Sequence, residues 1–464
     1  MPKQDGNKKK GGGRPDYVTP EYIAAQRAKR EQAKAEKARR NQMLGIEPDE
    51  QEGFNTNFIK RPMLAIKDDD ETDDNSSSSS SGGVDIKIMT YNVLGQALIR
   101  RELFPTNGDA LKWRWRSKML LSELKHYDAD IMCLQEVDLS HMDSFYDPEL
   151  RGLGYDLVYV RGQGKNHGLV ICWRDSICRL VRSESVVYDD DDESTKPQTR
   201  TRNVGAMAAL RFTSAAGGLI IATTHLFWHP HGTFERTRQS AILVRRTKKF
   251  AAETDDTARW PVFLAGDFNS EPIDSPYLCL TQARASRQTA HSYGVLCRSW
   301  QHKYTNEDLA EDETDRPEET GDTPETADSL SDEQQQQDQA IAAIVRLHDE
   351  NGVVLRSLYG AYYRRVHPAN ADVAGRNGEP AFSNWAFTWR GLLDYIFVMA
   401  TAAHDDSSSS SGQAGEIVPG VRVNALLRLP EPKEMGDEPS GQPREGQYPS
   451  DHLCLMAAVK IGHL

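Results

Sequence analysis

In Pro261-Val262-Phe263-Leu264-Ala265-Gly266-Asp267-Phe268-Asn269-Ser270-Glu271-Pro272, the apolar run from Pro261 to Ala265 reads as a buried strand that stops at Gly266. A carboxylate and an amide follow two residues apart, and Pro272 forbids simple continuation of the strand. A packed core has no use for Asp and Asn at a strand's end. A turn accepts either, so the pair gains meaning only if other strands end the same way.

They do. Asp85–Val93 alternates and ends in Asn92, Asp130–Glu136 ends in Glu136, and Leu219–Thr224 is followed by His225. Two later strands begin with polar residues: Asp394–Val398 with Asp394, and Asp451–Val459 with Asp451 and His452. Between them lie strands at Tyr155–Val160, Gly168–Trp173, Asn203–Phe212 and Val421–Leu427. Helices are expected over Asp109–Tyr127, Thr233–Ala252 and Ser275–Gln282, with a further one near Ala340–Leu347. If the last two polar-tipped strands run antiparallel to the first four, all six junctions meet at one rim of a sheet pair.

The 464 residues carry a formal charge of −13 and 38% hydrophobic residues, a low share for a globular chain. Both figures are local. Glu307–Glu333 holds 13 acidic residues against one arginine, a net of −12, so the remainder is near neutral and compatible with a polyanionic substrate. The expected domain plan is an N-terminal arm over 1–83 and a catalytic domain over 84–464. The arm is basic, then acidic and Ser-rich, with a solvated helix at 19–42. The domain is interrupted by an acidic insertion at 303–338 and by loops at 402–416 and 430–448, and 189–193 is an acidic loop tip. Cys133, Cys172, Cys178, Cys279, Cys297 and Cys454 form no CxxC pair, which suits a reducing compartment, cytoplasm or nucleus. No secretory h-region opens the chain, and its longest apolar stretch, Leu219–Trp228, is too short and polar to span a bilayer.

The cluster is Glu136, Asp267, Asp394, Asp451, Asn92, Asn269, His225 and His452. Oxygen ligands without Cys favour a hard cation such as Mg2+, with Mn2+ as a substitute. Such a cation offsets the charge that builds on phosphate oxygens. A carboxylate takes the proton of an attacking water, and a His paired with an Asp stays oriented and, protonated, stabilises the transition state. No Ser or Cys sits in a nucleophile motif, so water is the expected nucleophile of a phosphodiester hydrolase. Arg200, Arg202 and Asn203, just before a strand, are placed to meet a nucleic-acid backbone.

The order Asn92, Leu134-Gln135-Glu136, Thr224-His225, Gly266-Asp267-Phe268-Asn269, Leu393-Asp394-Tyr395, Ser450-Asp451-His452 resembles the endonuclease/exonuclease/phosphatase superfamily over Val84 to Leu464. Thr90–Leu94 and His225–Pro230 resemble its Nocturnin, Angel and deadenylase branch. Gln96–Pro105 and the basic arm are most similar to fungal NGL-type RNA exonucleases.

The resemblance implies a DNase I-like four-layer α/β sandwich, two face-to-face mixed sheets flanked by helices. It implies Mg2+-dependent 3′→5′ hydrolysis of single-stranded RNA 3′ ends, as in ribosomal precursor trimming or poly(A) shortening. It further implies that Glu136 binds the metal with Asp451 and Asn92 close by, and that Asp267 is the base. Asn92 and Asn269 then hold the phosphate, Asp394 orients His452, His225 contacts the scissile phosphate, and Pro230 and Trp389 clamp the terminal base. Trp389 stands where many relatives carry Phe, and His167 where many carry an acid. No leucine-rich repeats precede the domain for docking into a deadenylase complex. Competing readings keep the fold and change the substrate (abasic DNA, inositol phosphates, dinucleotides or other small nucleotides), or discard catalysis for RNA binding by the arm. The last requires a gap in the acid cluster, and the sequence has none.

Overall fold

The computed structural model of the chain describes residues 54–67, 82–100, 103–191, 196–254, 259–283, 287–305, 327–371, 377–387, 389–401, 415–436 and 441–462, with 28 and 32 alone upstream. Two sheets carry it. The first is ordered β1-β15-β16-β2-β3-β5-β4, from β1 (Met63–Ala65), β2 (Gly83–Asn92), β3 (Ile131–Asp138), β4 (Tyr155–Val160), β5 (His167–Arg174), β15 (Val421–Leu427) and β16 (Leu455–Gly462), with β14 (Glu416–Val418) on β15. The second is ordered β10-β13-β9-β8-β7-β6, from β6 (Cys178–Val187), β7 (Val204–Phe212), β8 (Gly218–Thr224), β9 (Val262–Asp267), β10 (Val353–Ser357) and β13 (Asp394–Thr401). A ribbon of β11 (Asn384–Ala386) and β12 (Trp389–Gly391) stands apart.

Side-chain parity builds the layers. Ile86, Ile88, Ile131 and Ile171 of the first sheet pack with Ala208, Ile221, Phe263, Ala265 and Ile396 of the second in one shared core. The intervening residues face outward: Met89, Met132 and Val170 meet the helix Trp113–Tyr127, while Ile220, Ala222 and Leu264 meet Thr233–Glu253. Strands apolar on both faces carry helices on both outer faces, and the four-layer sandwich follows. β2 with β3 and β8 with β9 are parallel; β16 on β2 and β13 on β9 are antiparallel, as the rim required.

Several expected boundaries move. The folded body begins upstream of Val84: Phe58, Arg61 and Ile66 are buried, and β1 pairs with β15. A three-residue strand among charges leaves no periodic signal. Arg61 is tolerated inside because Glu123 lies 3.6 Å away and Tyr127 and Cys454 accept its N–H groups. The 303–338 insertion ends early, in a helix Ala327–Asn351; its residues 306–326, like the 19–42 helix apart from residues 28 and 32, lie outside the described residues. Within 430–448, Met435, Gln442 and Tyr448 are buried. The acidic tip is more than a tip: Asp191 is buried between Arg245 and Arg246, and Asp189 accepts the Arg202 N–H at 2.7 Å. The last strand starts at Leu455, not Asp451. β6 and β10 were not expected, β6 because it is a mostly exposed edge strand whose polar residues mask its pattern.

Glu379 is fully buried. Tyr277 donates to its Oε1 at 2.8 Å, Oε2 has no hydrogen-bond partner, and burial pushes its pKa up to about 7. A carboxyl raised in the folded state binds protons more tightly there than unfolded, so stability falls as pH rises from its ordinary value to about 7. Glu379→Gln should therefore be as stable as the wild type in acid and more stable above neutrality, by about 3 kcal/mol at most. Urea unfolding at several pH values checks this; parallel pH curves for the two proteins would refute it.

Candidate active site

Parity delivers the polar residues to the gap between the sheets. Residues 263, 265 and then 267 share the inner face of β9, and 398, 396 and 394 that of β13. On β2 the inner series 86, 88 and 90 ends at Asn92. Glu136 needs a further device. Ile131, Cys133 and Gln135 face inward, so regular pleating would turn Glu136 outward. The register shifts between Leu134 and Val137, and Glu136 takes φ 58°, a β-bulge that restores the inward direction. The strand does not end there, as expected, but runs on to Asp138.

The side chains form a continuous chain of contacts. Asn92 Nδ2 donates to Glu136 Oε1 at 2.8 Å and to Asp267 Oδ2 at 2.9 Å. The Gly95 N–H donates to Glu136 Oε2 at 2.8 Å and the Asn269 N–H to Asp267 Oδ1 at 2.9 Å. His452 Nδ1 lies 2.8 Å from Asp394 Oδ2 and its Nε2 3.7 Å from Asp267 Oδ2. His225 Nε2 sits 3.6 Å from Asp267 and 4.0 Å from Glu136. Asn269, at φ 47°, donates its amide to the Leu226 carbonyl, tying the β9 end to the loop after His225.

Two serines support the cluster, Ser450 from the Ser450-Asp451-His452 motif and Ser383 with no distinctive sequence signal. Ser383 donates to Asp394 Oδ2 at 2.6 Å, and Ser450 donates to the Asn92 carbonyl at 2.8 Å. A third support, Arg116, is a buried cation in the helix Trp113–Tyr127. It donates to the carbonyls of Val93, Leu94 and Pro449, joining the two segments that carry Asn92 and Asp451.

Burial raises the pKa of Asp267, opposed by His452 and the Asn92 hydrogen bond; burial likewise raises Asp394, opposed by His452. For His452 burial disfavours the charged ring, but Asp394 and Asp267 outweigh it and hold the imidazole well above its ordinary value. His452 thus stands between two carboxyl groups, both of which favour its protonated form.

Asp267, Asp394 and His452 offer ligand atoms within 4.8 Å of one another. His452 itself takes up that space, its ring facing both acids at 2.8 and 3.7 Å. Glu136 is the better ligand: each oxygen takes one donor and keeps lone pairs, and the carboxylate reaches the rim. Asp451 lies by Asn384, whose Nδ2 is 3.4 Å from Asp451 Oδ2 and whose buried Oδ1 lacks a partner. An all-oxygen set with an orphaned carbonyl suits a hard cation.

Of the expected substrate contacts, Pro230 is exposed and Trp389 is 51% exposed. Arg202 is exposed, at φ 55°. Asn203 is buried: its Nδ2 donates to the His225 carbonyl at 3.1 Å and its Oδ1 accepts from Lys165, so it positions His225 as well as lining the cleft. The expectation missed Lys165, His167 and Trp228, which line the cleft beside His225.

Known proteins resemble this chain in sequence and in fold. The Endonuclease/Exonuclease/phosphatase family matches residues 89–452. A probable RNA exonuclease of Schizosaccharomyces pombe is 40% identical over 429 residues, 88% of this chain and 81% of its own. RNA exonuclease NGL2 of Saccharomyces cerevisiae is 38% identical over 460 residues, 91% of this chain and 85% of its own. In fold, the crystal structure of ANGEL2, a 2′,3′-cyclic phosphatase, has a TM-score of 0.54 at 22% identity, covering 87% of this chain and 99% of that one. Nucleases of the matched family depend on divalent metals, and a buried acid–histidine cluster is present here. Among the described residues no helix is long and apolar enough to cross a membrane.

Proposed function

The chain belongs to the endonuclease/exonuclease/phosphatase family, and we propose that it is a Mg2+-dependent 3′→5′ exoribonuclease acting on single-stranded RNA ends. The carrying observation is the bridge of Asn92 between Glu136 and Asp267, with His452 behind it between Asp267 and Asp394. It brings a candidate metal ligand, a candidate base and an imidazole into one chain of contacts. Relatives named as RNA exonucleases, similar over most of both chains, support RNA as the substrate.

Glu136, with Asp451 as a second candidate ligand, would hold Mg2+ (or Mn2+), which when bound supplies charge neutralisation at the phosphate oxygens. Asp267 Oδ2 takes the proton of the attacking water as the new P–O bond forms, and the P–O3′ bond breaks with the departing O3′ taking a proton from a water molecule to leave as a hydroxyl. The Asn92 and Asn269 amides orient that carboxylate and the phosphate. Asp394 holds His452 protonated, so its Nε2–H faces the developing negative charge. His225 contacts the scissile phosphate, and Pro230 and Trp389 hold the terminal base between them, a contact tolerant of base identity.

Removing the Asp394 charge should lower the His452 pKa, because that carboxylate is the largest influence raising it. Asp394→Asn should therefore move the alkaline limb of the kcat profile to lower pH. An unmoved limb would separate His452 from that titration.

The function is tested by digesting 5′-labelled RNAs in Mg2+: one with an A-only tail, one of mixed sequence, one with a blocked 3′ hydroxyl. One-nucleotide ladders on both free-ended RNAs are expected, with the blocked RNA intact. A ladder on the A-tail alone would make the enzyme a deadenylase; internal cuts on the blocked RNA would make it an endonuclease.

A further inference from the structure

The two rims do not end at the catalytic cluster. In the first sheet the order β16-β2-β3-β5 carries the rim from His452 through Asn92 and Glu136 to His167 at the start of β5. In the second, β13-β9-β8-β7 carries it from Asp394 through Asp267 and His225 to Asn203 just before β7. The rims face each other pair by pair: His452 with Asp394, Asn92 with Asp267, Glu136 with His225. The series ends in a pocket beyond His225, lined by Lys165, His167, Arg202, Asn203, His225 and Trp228 among others. Its lining holds a lysine, an arginine and two histidines and no carboxylate, whereas every step before it carries one. Adjacent strands are about 5 Å apart, so the pocket lies roughly one nucleotide step from the reacting phosphate.

The pocket is built. Gly162 packs so closely on the Arg202 backbone that a Cβ there would lie 1.9 Å from the Arg202 carbonyl oxygen. Arg202 itself is left-handed, a rare state for a side-chain-bearing residue, and Asp189 accepts its N–H at 2.7 Å to hold it so. Lys165 Nζ donates to Asn203 Oδ1 at 2.7 Å, which fixes the ammonium beside the rim. The Arg100 guanidinium lies 5.2 Å from the centroid of the Trp228 ring, holding an aromatic wall.

Resting on the exoribonuclease reading, we propose that this pocket is a second substrate subsite: it binds the phosphodiester on the 5′ side of the scissile bond. Lys165 and Arg202 contact the phosphate, and Trp228 offers a stacking face to the attached nucleoside. The assignment to the 5′ side follows because the terminal base is taken by Pro230 and Trp389. The enzyme is then a chain reader that prefers substrates with at least two phosphodiesters over small phosphorylated compounds with one.

The test compares a dinucleoside monophosphate with a trinucleoside diphosphate. The wild type should favour the longer one by about 10- to 100-fold in kcat/KM, the worth of charged hydrogen bonds to one phosphate. Lys165→Met and Arg202→Gln should each cut that preference by about 10-fold. A neutral methylphosphonate at the 5′ linkage should do the same in the unaltered protein, with no further loss in Lys165→Met. A preference that survives both substitutions and the methylphosphonate overturns the subsite. Binding of the natural and methylphosphonate trinucleotides to Asp267→Asn needs no turnover. Weaker binding of the neutral analogue supports the subsite and equal binding refutes it, even if the wild type cleaves neither RNA and the exoribonuclease reading itself fails.

Discussion

Asp267→Asn should lower kcat on RNA by about 10³- to 10⁴-fold, the contribution of a positioned general base. The substitution keeps the shape but leaves one acceptor oxygen where there were two, so either Asn92, which donates to Oδ2, or the Asn269 N–H, which donates to Oδ1, loses its partner. The carboxylate's basicity disappears as well. The side chain is 1% exposed and its pKa is raised by burial, so the wild type carries a desolvated charge that the variant does not. Thermal stability should therefore hold or rise while activity collapses. Melting temperature and single-turnover rate, measured on the same preparation, separate this from misfolding. A variant that retains a tenth or more of wild-type kcat would remove Asp267 from the proton transfer.

Glu136→Ala should cost about as much, by another route. The carboxylate accepts from Asn92 and Gly95 and adds a negative charge that further raises Asp267. Its loss should weaken divalent-metal binding and depress kcat by about 10³-fold, as removal of metal-borne charge stabilisation implies. The fold should survive, since the β-bulge is set by backbone pairing on both sides and the side chain lies at the rim. Isothermal titration with Mg2+ and with Mn2+ gives a readout independent of turnover. Unchanged metal affinity together with unchanged activity would sink the assignment. Unchanged affinity with lost activity would move the ligand role to Asp451 and leave Glu136 as an anchor for Asn92.

The polar strand tips were legible because chemistry at a strand's end costs a core nothing and leaves a mark in the pattern. Asp267, Asp394 and Asn92 share the parity of the apolar residues before or after them, and parity is a property of sequence alone. The four-layer sandwich came from the family resemblance, and strands apolar on both faces, which demand cover on both, accord with it. Ser383, Arg116 and Lys165 were not legible. Each acts on a residue far away in the chain, and a serine or arginine in a loop or helix reads the same whether or not it meets a catalytic partner. The short β1 and the exposed β6 were hidden too, because one lacks length and the other lacks an apolar face.

The sequence by itself thus determined the polar strand tips and their chemistry through local periodicity and residue type, and its family resemblance implied the layers and the individual roles. Tertiary structure decided where they meet. The bulge that turns Glu136 inward, the His452 charge and the carboxylate-free pocket beyond His225 each depend on contacts between the two sheets or between neighbouring strands. Charge and strain are properties of surroundings, and a chain acquires its surroundings only on folding.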